Sequence, residues 1–543
     1  GRPRPLLRAL GAVAAGLALL GACAGAGSLY LRHFLRSSVE ELAVIDGPQA
    51  ASFARFAEGY IFFEVTFFNV SNAAAVLREG ATPELAEVGP FVYRQYTRRS
   101  DVLFDEESDS MSFRQHMWYE FDQNETMARS GGAHSSVSDV KITTLNVALA
   151  GLRVMANRKA LHMAGGMLWK DDWHRLFDQR TPKELIEGFN ISVPVHLPGL
   201  PPMAFPGLAP SLPAASDPGV QHRSTLRVGA RDAASTFEYL AWQEQSEVSV
   251  ACPFGSLQLP FAGGCEPGQR PCCAGKKDKE RKVPVWDETL APGEFDADAN
   301  AVHGTTGEQF RRGLWEDLER VEMYFNLAQR VMPLVTTPGE RSEHQGVPVR
   351  LFRPDYGAFW ANATERPANA RYYQWGPSGL LNLSMTGAEL FLSPAHFLGC
   401  EASLLAGVRG LRPDAARHGF ELGVEPATGL TVRSRSAVML SGRIQSEPLG
   451  DGPRARSWFP ALGTEARYVP IAWFAVEAPP LSPDALAGFA ALRLAQRAEA
   501  GLCWGCAICG GATSVLLLVR LLARRKRSPV AAATAAVAAT AAP

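Results

Sequence analysis

Five asparagines of this chain stand in Asn-x-Ser or Asn-x-Thr triplets, the acceptor pattern for N-linked glycans. They are Asn69, Asn124, Asn190, Asn362 and Asn382. If Ser or Thr filled one position in eight, roughly one or two of the eleven asparagines would fit this pattern by chance. The excess predicts that the stretch holding all five faces the secretory lumen or the cell exterior.

Thiol groups are concentrated in one stretch of the chain. Cys252, Cys265, Cys272 and Cys273 fall within 22 residues that are also rich in proline and glycine. Thiolates at this density could bind zinc, but the stretch lacks paired Cys-x-x-Cys or Cys/His spacing. In an oxidising compartment local disulfides are favoured over a metal site, with their pairing left open. Cys400 is then an unpaired thiol.

One segment combines cations and tryptophans in a chain that is otherwise neutral, with 54 basic and 55 acidic residues. Trp169 and Trp173 are four residues apart, which places them on one face of a helix. The candidate binding residues are Arg153, Arg158, Lys159, Trp169, Lys170, Trp173 and Arg175. A cationic, aromatic surface suits anionic headgroups, oxidised lipid or acidic protein surfaces. The alternative is a solvated basic face with its tryptophans packed inward.

No catalytic pattern accompanies these residues. The sequence lacks a glycine-rich phosphate loop, a Gly-x-Ser-x-Gly elbow and an HExxH helix. A formal net charge of −1 leaves no overall field for nucleic acid. We therefore predict that the chain is not an enzyme and has neither a cofactor nor a metal site. We expect two ionisable residues, His396 and Glu425, to form structural hydrogen bonds.

Two uncharged, apolar runs are long enough to cross a bilayer, which takes about 20 helical residues. Arg520 and Arg524 belong to a cationic cluster directly after the second run, and such clusters stay on the cytosolic side. The predicted order is a cytosolic N-terminus (1–8), a first span (9–31), an outer part (32–500), a second span (501–519) and a cytosolic tail (520–543).

The first run has alternative interpretations. It could be a cleaved signal peptide with a small-residue site at Ala22-Cys23-Ala24, or a lipoprotein acceptor at Leu20-Gly21-Ala22-Cys23. Its 23 uncharged residues exceed the core of a cleaved signal, about 7–15 residues, so we expect an uncleaved signal-anchor. Gly21 and Gly25 have the four-residue spacing that lets helices approach closely, as do Gly501 and Gly505.

The outer part is predicted to be mainly β with some α, an α+β fold. Strands are predicted at 62–68, 91–96, 102–104, 111–121, 347–352, 389–392, 420–424, 429–435 and 437–444. Such spacing favours an antiparallel barrel or sandwich. Gly89-Pro90 is predicted to be a turn. Helices are predicted within 143–189, where Thr181-Pro182-Lys183-Glu184 has the form of a capped helix start, and at 312–330 and 483–499.

Short motifs in the outer part occur in a recognisable order. They are Phe67-Phe68-Asn69-Val70-Ser71-Asn72, Gly89-Pro90-Phe91-Val92-Tyr93-Arg94, Thr144-Leu145-Asn146, 180–189, Gly304-Thr305-Thr306-Gly307, 346–349, 392–397, 424–429 and 468–473. Each is weak alone, but the ordered set resembles the class B scavenger receptors. This family includes fatty-acid translocase, lysosomal integral membrane proteins and sensory neuron membrane proteins. The stretch at 196–300 departs from the family pattern, whose paired cysteines it does not match.

The resemblance implies one ectodomain, an antiparallel β-barrel anchored by two transmembrane helices. It also implies a distal helical bundle at the apex, here about 143–189, and it makes the stretch at about 196–300 a divergent Cys/Pro/Gly-rich insert. A hydrophobic tunnel would run from the apex toward the membrane and carry fatty acid, sterol or sterol ester. The family has no catalytic group.

The function implied is a membrane glycoprotein that binds lipids or lipoproteins at its apex and passes lipid toward the membrane. Its partners would be lipids, lipoproteins or acidic protein ligands and the membrane itself, with a homo-oligomer left open. The alternative is a protein-cargo or adhesion receptor of the same fold, of the kind that sorts lysosomal hydrolases. Because the tail at 528–543 has no acidic di-leucine signal, we expect residence in the plasma membrane, with the lysosomal membrane as the alternative.

Overall fold

The structure is a computed structural model, and the chain divides into two compact units, residues 1–42 with 481–543 and residues 43–480. The residues that the structure describes are 4–45, 47–50, 52–146, 176–191, 203–205, 219–247, 249–251, 282–284, 286, 299–313, 318–373, 376–383, 390–449 and 456–525. Two long helices make up the described part of the first unit, and strands dominate the second.

Among the helices that the structure describes, only the two terminal ones are long. The described α-helices are α1 (Arg4–Ala43), α2 (Phe53–Ala57), α3 (Ala73–Glu79), α4 (Gln123–Arg129), α5 (Pro182–Glu187), α6 (Tyr356–Phe359), α7 (Ala402–Ala406), α8 (Ala415–His418) and α9 (Pro483–Arg525). Short 3₁₀ turns occupy Ala233–Ser235, Pro367–Asn369, Ala395–Phe397 and Pro460–Leu462.

The strands are rich in the aromatic and β-branched residues that fit a pleated, half-buried surface. In the first half of the chain they are β1 (Glu58–Val70), β2 (Leu85–Asp105), β3 (Ser110–Phe121), β4 (Ile142–Leu145), β5 (Phe177–Arg180), β6 (Phe189–Ile191), β7 (Met203–Phe205), β8 (Gly219–Val220), β9 (Ser224–Arg227), β10 (Tyr239–Ala241), β11 (Ser249–Ala251) and β12 (Lys282–Pro284). In the second half they are β13 (Arg320–Phe325), β14 (Arg330–Val335), β15 (Ser342–His344), β16 (Val347–Pro354), β17 (Leu381–Asn382), β18 (Leu390–Pro394), β19 (Glu421–Val424), β20 (Thr431–Ile444), β21 (Glu447–Leu449), β22 (Arg456–Trp458) and β23 (Arg467–Glu477).

One large antiparallel sheet organises the second unit. Its main path runs in the order β10-β9-β3-β2-β1-β23-β20-β19-β16-β14-β13. The first long strand pairs with the last, so that Phe62 of β1 lies opposite Glu477 of β23. The two chain segments that lead to the terminal helices therefore leave the sheet from neighbouring strands.

A short extended segment, which contains Gly304 and Thr305, lies between the two edge strands of this path, β10 and β13. The N–H of Tyr239, in β10, donates to the carbonyl of Gly304 at 2.9 Å, and the N–H of Tyr324, in β13, donates to the carbonyl of Thr305 at 2.9 Å. Gly304 has a φ of +81°, and a Cβ there would lie 3.1 Å from the nitrogen of Tyr324. With this segment between its edges, the sheet forms a nearly closed antiparallel barrel, which confirms the barrel prediction.

Two local predictions are wrong. The helix predicted at 312–330 is wrong over its described part from 318 onward, because Arg320–Phe325 pairs with Arg330–Val335 as an antiparallel hairpin. Gly89-Pro90 is not a turn, since it lies inside β2, opposite a register shift between Val65 and Phe67. At Gly89 the φ is +139° and a Cβ would lie 2.9 Å from the carbonyl oxygen of Val65. Glycine fits this close backbone approach, so the strand continues.

The terminal helices α1 and α9 are each long and apolar enough to cross a membrane, over Ala9–Glu41 and Pro483–Leu522. Both are longer than the runs predicted from the sequence, and the helix expected at 483–499 is the first part of α9. The outer end of the pair contains an ion pair between Arg32 Nε and Glu499 Oε1 at 2.5 Å, joined by Ser28 Oγ, which donates to Glu499 at 2.8 Å.

Candidate functional site

The predicted apex residues lie outside the described part of the structure. All seven fall within 147–175, namely Arg153, Arg158, Lys159, Trp169, Lys170, Trp173 and Arg175. At the margins of this segment Ile142–Leu145 pairs with Phe177–Arg180, so the helical prediction for 143–189 is wrong at 143–145 and at 177–180, where strand pairing holds the backbone extended. The last part of the region predicted to be helical forms the helix α5, as expected. Thr181 Oγ1 accepts from the N–H of Glu184 at 3.2 Å, and Glu184 Oε2 accepts from the N–H of Thr181 at 2.9 Å.

The predicted modification residues are distributed over several elements. Asn124 is exposed in the first turn of α4, where Asp122 caps the helix by accepting from the N–H of Glu125. Asn69 lies in β1 and its Oδ1 accepts from the N–H of Thr143 at 2.9 Å. Asn362 follows α6, Asn382 is in β17, and the backbone of Asn190 is in β6. The disulfide candidates Cys252, Cys265, Cys272 and Cys273 lie outside the described residues.

One face of β1, β2 and β23 carries the main apolar core. Phe63 lies opposite Tyr93, and Val65 lies opposite both Phe91 and Phe474. The rings of Phe63 and Phe474 stack with their centroids 5.6 Å apart. Val65 and Phe91 are fully buried. These residues form an aromatic wall on one face of the sheet.

Buried hydroxyl groups interrupt the apolar surroundings. Within the described part of the chain, the phenol oxygens of Tyr93, Tyr324 and Tyr373 are buried and have no hydrogen-bond partner. Burial raises the pKa of each phenol above its ordinary value, so the three groups stay neutral. A buried polar group without a partner costs about 1–3 kcal/mol, and a ligand or water with a polar atom would remove that cost.

A cavity of about 270 Å³ lies beside the segment that closes the barrel. Four of its lining residues are charged, Glu238, Arg311, Arg320 and Glu322. Burial raises the pKa of Glu238, whereas a hydrogen bond from His303 lowers that of Glu322. Sites for lipid-like molecules are mostly apolar and about 300–1,000 Å³ in volume. This cavity is smaller and charged, which does not suit an acyl chain.

A hydrogen-bonded cluster lies on the opposite face of β23 from Phe474, because neighbouring side chains in a strand alternate between faces. Glu87 of β2 is at its centre. Trp473 Nε1 donates to Glu87 Oε1 at 2.8 Å, and His396 Nε2 lies 2.8 Å from the same oxygen. Arg417 donates to Glu87 Oε2 at 3.2 Å.

The two histidines of this cluster are held in one tautomer. The rings of His396 and His418 stack with centroids 3.9 Å apart and planes within 5°. The N–H of Arg412 donates to His396 Nδ1 at 3.0 Å, and the N–H of Asp414 donates to His418 Nδ1 at 3.1 Å. Since both Nδ1 atoms accept hydrogen bonds, each neutral ring carries its proton on Nε2.

This tautomer opposes a metal at the cluster. Glu87, His396 and His418 offer ligand atoms within 4.8 Å of one another, as a metal site would. A metal bound at Nε2, however, requires a ring whose other nitrogen is a donor. Here the other nitrogens accept backbone N–H groups. The donor set does not fit a metal, and the cluster is a network of neutral imidazoles around a carboxylate.

The electrostatics of the cluster keep Glu87 ionised and His418 neutral. Burial opposes ionisation of Glu87, but hydrogen bonds from His396 and Trp473 outweigh it and lower its pKa to about 2. Burial lowers the pKa of His418 to about 4. His396 and Phe397 both have a φ of 54°, a left-handed conformation that costs about 1–3 kcal/mol per residue and persists only where its surroundings hold it.

Sequence reasoning found only part of this cluster. The expectation of structural hydrogen bonds is confirmed for His396, and also for Glu425, whose carboxylate accepts from the N–H groups of Ala427 and Thr428. Glu87 and His418 were missed. Glu87 is 309 residues from His396 along the chain, so no local pattern connects them.

Comparison with known proteins gives the family. Residues 15–521 match the family model described as CD36 family. Scavenger receptor class B member 1 of Sus scrofa is 25 % identical over 479 residues, covering 87 % of this chain and 81 % of the relative. Protein peste of Drosophila melanogaster is 25 % identical over 437 residues, covering 76 % and 67 %. Lysosome membrane protein 2 of Rattus norvegicus is 22 % identical over 394 residues, covering 71 % and 69 %.

These matches confirm the resemblance to class B scavenger receptors and place the chain in a membrane, with both termini cytosolic. The family match begins within α1 and ends within α9, so it includes every strand of the barrel. On this evidence the chain belongs to the CD36 family.

Proposed function

We propose that the chain is a class B scavenger receptor-like glycoprotein that binds lipids or lipoproteins at a distal helical apex. It then passes fatty acid or sterol lipid through a hydrophobic tunnel in the barrel toward the membrane. The observation that carries this proposal is a family match that spans a nearly closed barrel and both terminal membrane helices. Relatives named scavenger receptors support a receptor rather than an enzyme.

The interior chemistry supports a cargo that is mostly apolar with one polar group. The wall formed by Phe63, Phe91 and Phe474 suits hydrocarbon. The buried hydroxyls of Tyr93 and Tyr324 need hydrogen-bond partners, which the carboxyl of a fatty acid or the hydroxyl of a sterol would supply. A pure hydrocarbon would leave both unsatisfied.

In this proposal the ligand first contacts the apex. Within 153–175 there are five cations and two acidic residues, together with two tryptophans. Anionic headgroups or acidic protein surfaces would be attracted to such a segment through charge and through the aromatic faces. The apex candidates, from Arg153 to Arg175, are therefore proposed as the binding residues.

Uptake of labelled lipid tests the function. Cells that express the chain should take up more labelled fatty acid or sterol ester than matched cells without it. A triple variant, Arg153→Glu, Arg158→Glu and Lys159→Glu, should lose most of this gain because it reverses the apex charge. Arg78→Glu is the matched control, since Arg78 is exposed in α3 and outside the apex region at 143–189. No gain over control cells for the unmodified chain would contradict the proposal.

A protein-cargo or adhesion receptor is the second candidate. The similarity to lysosome membrane protein 2 favours it, as the same fold would then carry a protein, such as a lysosomal hydrolase, to an acidic compartment. Imaging of the tagged chain separates the two locations. Surface residence with lipid uptake supports the first function, whereas lysosomal residence without uptake supports the second.

A further inference from the structure

The segment that carries Arg412, Asp414 and His418 lies against Trp473 on the face of β23 opposite Phe474, and we call residues 411–418 the strap. Before the strap the chain is firmly attached. The N–H of Arg409 donates to the carbonyl of Pro83 at 2.8 Å, and the N–H of Leu85 donates to the carbonyl of Arg409 at 2.9 Å. After the strap the chain enters β19. The strap is therefore a short connection between two fixed points.

One imidazole nitrogen holds the middle of the strap from outside it, and a second makes a hydrogen bond within the strap. Its backbone N–H groups at Arg412 and Asp414 donate to His396 Nδ1 and His418 Nδ1. The two rings are 98 % buried, and the His418 ring lies 5.2 Å from the Trp473 ring. Within the described structure, Nε2 of His418 is buried and has no hydrogen-bond partner. The accepting nitrogen of His418 is basic and forms a hydrogen bond within the strap, so acid acts on the conformation of the strap itself.

We propose that the strap is an acid-sensitive latch, closed while His396 and His418 are neutral and released from Trp473 and Glu87 when His418 gains a proton. The added proton occupies Nδ1 and faces the N–H of Asp414, so two donors then oppose each other. The new positive charge also lies on a ring stacked against His396. The first effect breaks a hydrogen bond within the strap, and the second weakens the stacking that holds the strap on His396.

The charged and titratable groups around His418 determine the pH range. Besides burial, His396 and Arg417 disfavour its charged form, while Glu87 and Asp414 favour it. The net result is a pKa of about 4 in the closed state, against about 6.5 for an unperturbed histidine.

The sign of the effect follows from these two values. The closed strap binds fewer protons than the open strap, so its stability is complete above about pH 6.5 and is lost as the pH falls toward 4. Between pH 7.5 and pH 5 the opening equilibrium constant should rise by about tenfold or more. A receptor that moves from the cell surface to acidic compartments would meet this difference.

Hydrogen–deuterium exchange on the full chain in lipid nanodiscs tests the latch. After correction for intrinsic exchange, protection of the strap should fall by about tenfold or more from pH 7.5 to pH 5. Residues 431–444 of β20 serve as an internal reference and should show no change. The variant His418→Asn keeps an acceptor for the N–H of Asp414 but cannot be protonated in this range, so its strap should exchange equally at both pH values.

His222→Asn is the matched control, because the side chain of His222 is 75 % exposed and far from the strap in sequence. This variant should keep the pH response of the unmodified chain. Equal strap protection at both pH values in the unmodified chain would overturn the proposal, and that comparison decides the matter even if His418→Asn does not fold. A full pH response in folded His418→Asn would overturn it as well.

Discussion

At the residue scale, two carboxylates, the partly exposed Glu87 and the buried Glu425, show how single side chains fix non-repetitive backbone. Glu87 gathers Trp473, His396 and Arg417 from three parts of the chain. Glu425 acts locally, since its oxygens accept from the N–H of Ala427 at 3.1 Å and from the N–H of Thr428 at 2.8 Å. The first joins distant segments, and the second shapes the turn between β19 and β20.

Replacement of Glu425 should destabilise this turn. Glu425→Ala leaves two buried N–H groups and the Thr428 hydroxyl without their acceptor, so the free energy of unfolding should fall by about 2–4 kcal/mol. Glu106→Ala, at an exposed position in the turn after β2, should change it by no more than about 0.5 kcal/mol. Thermal unfolding of both variants, followed by intrinsic fluorescence, provides the measurement. Equal melting temperatures would show that the carboxylate is not needed.

At the element scale, glycine decides where backbones approach each other. Gly304 brings its segment against β13, which closes the barrel. In the first unit, Gly21 and Gly25 lie against Cys509 and Cys506 of the second terminal helix, so α1 and α9 pack closely and antiparallel. The small-residue spacing seen in the sequence is thus used between the two helices of one chain. At Gly501 and Gly505 a Cβ would meet no atom within 4 Å.

A cysteine in place of Gly21 should crosslink the two terminal helices. A Cβ at Gly21 lies 3.2 Å from the Cβ of Cys509, close to the separation of about 3.5–4.5 Å in a disulfide. After mild oxidation of Gly21→Cys, fragments produced by proteolysis in the outer part should stay joined on a non-reducing gel and separate after reduction.

Gly16→Cys is the matched control for this crosslink, since a Cβ at Gly16 meets no atom within 4 Å. Its fragments should separate without reduction. If the Gly21→Cys fragments also separate without reduction, the helices do not pair in this register.

At the scale of the whole molecule, the order of elements along the chain and the strand pairing of the barrel indicate the same topology. The strands β1 and β23 are neighbours, so the two terminal helices are joined to adjacent strands of the same sheet. All five acceptor asparagines lie in the stretch between those helices. With both termini cytosolic, we expect the barrel and every acceptor site to lie on the opposite side of the membrane.

Glycan attachment should report this topology. Asn124 is exposed in α4, so Asn124→Gln should remove one glycan and shift the glycosidase-sensitive band by one step. Thr126→Ser preserves the acceptor triplet and should keep the glycan. Asn326→Gln, at an exposed asparagine outside any triplet, should leave the band unchanged. A chain without any glycosidase-sensitive mass would contradict the topology.

Local patterns predicted most of the strands and helices, but not the residues at which they begin and end or the contacts between them. The long strands at 58–70 and 110–121 follow from runs of aromatic and β-branched residues. The strand at 85–105 was predicted as separate pieces, because glycine and proline usually mark turns. The strand continues because a register shift in β1 accommodates Gly89-Pro90, and this shift depends on the pairing of the two strands. The hairpin at 320–335 was mistaken for a helix, since each of its strands has only six residues and the alternation of apolar and polar side chains is therefore short.

The sequence by itself determined the two membrane helices, a mainly β region between them and the family, because these depend on composition, periodicity and the order of motifs. Only the tertiary structure decided that the barrel closes through Gly304 and Thr305, that Glu87 meets His396 and His418, and that α1 packs on α9. These features join residues up to several hundred positions apart. Contacts of that kind arise when strands pair and side chains are buried together, and no local pattern records them.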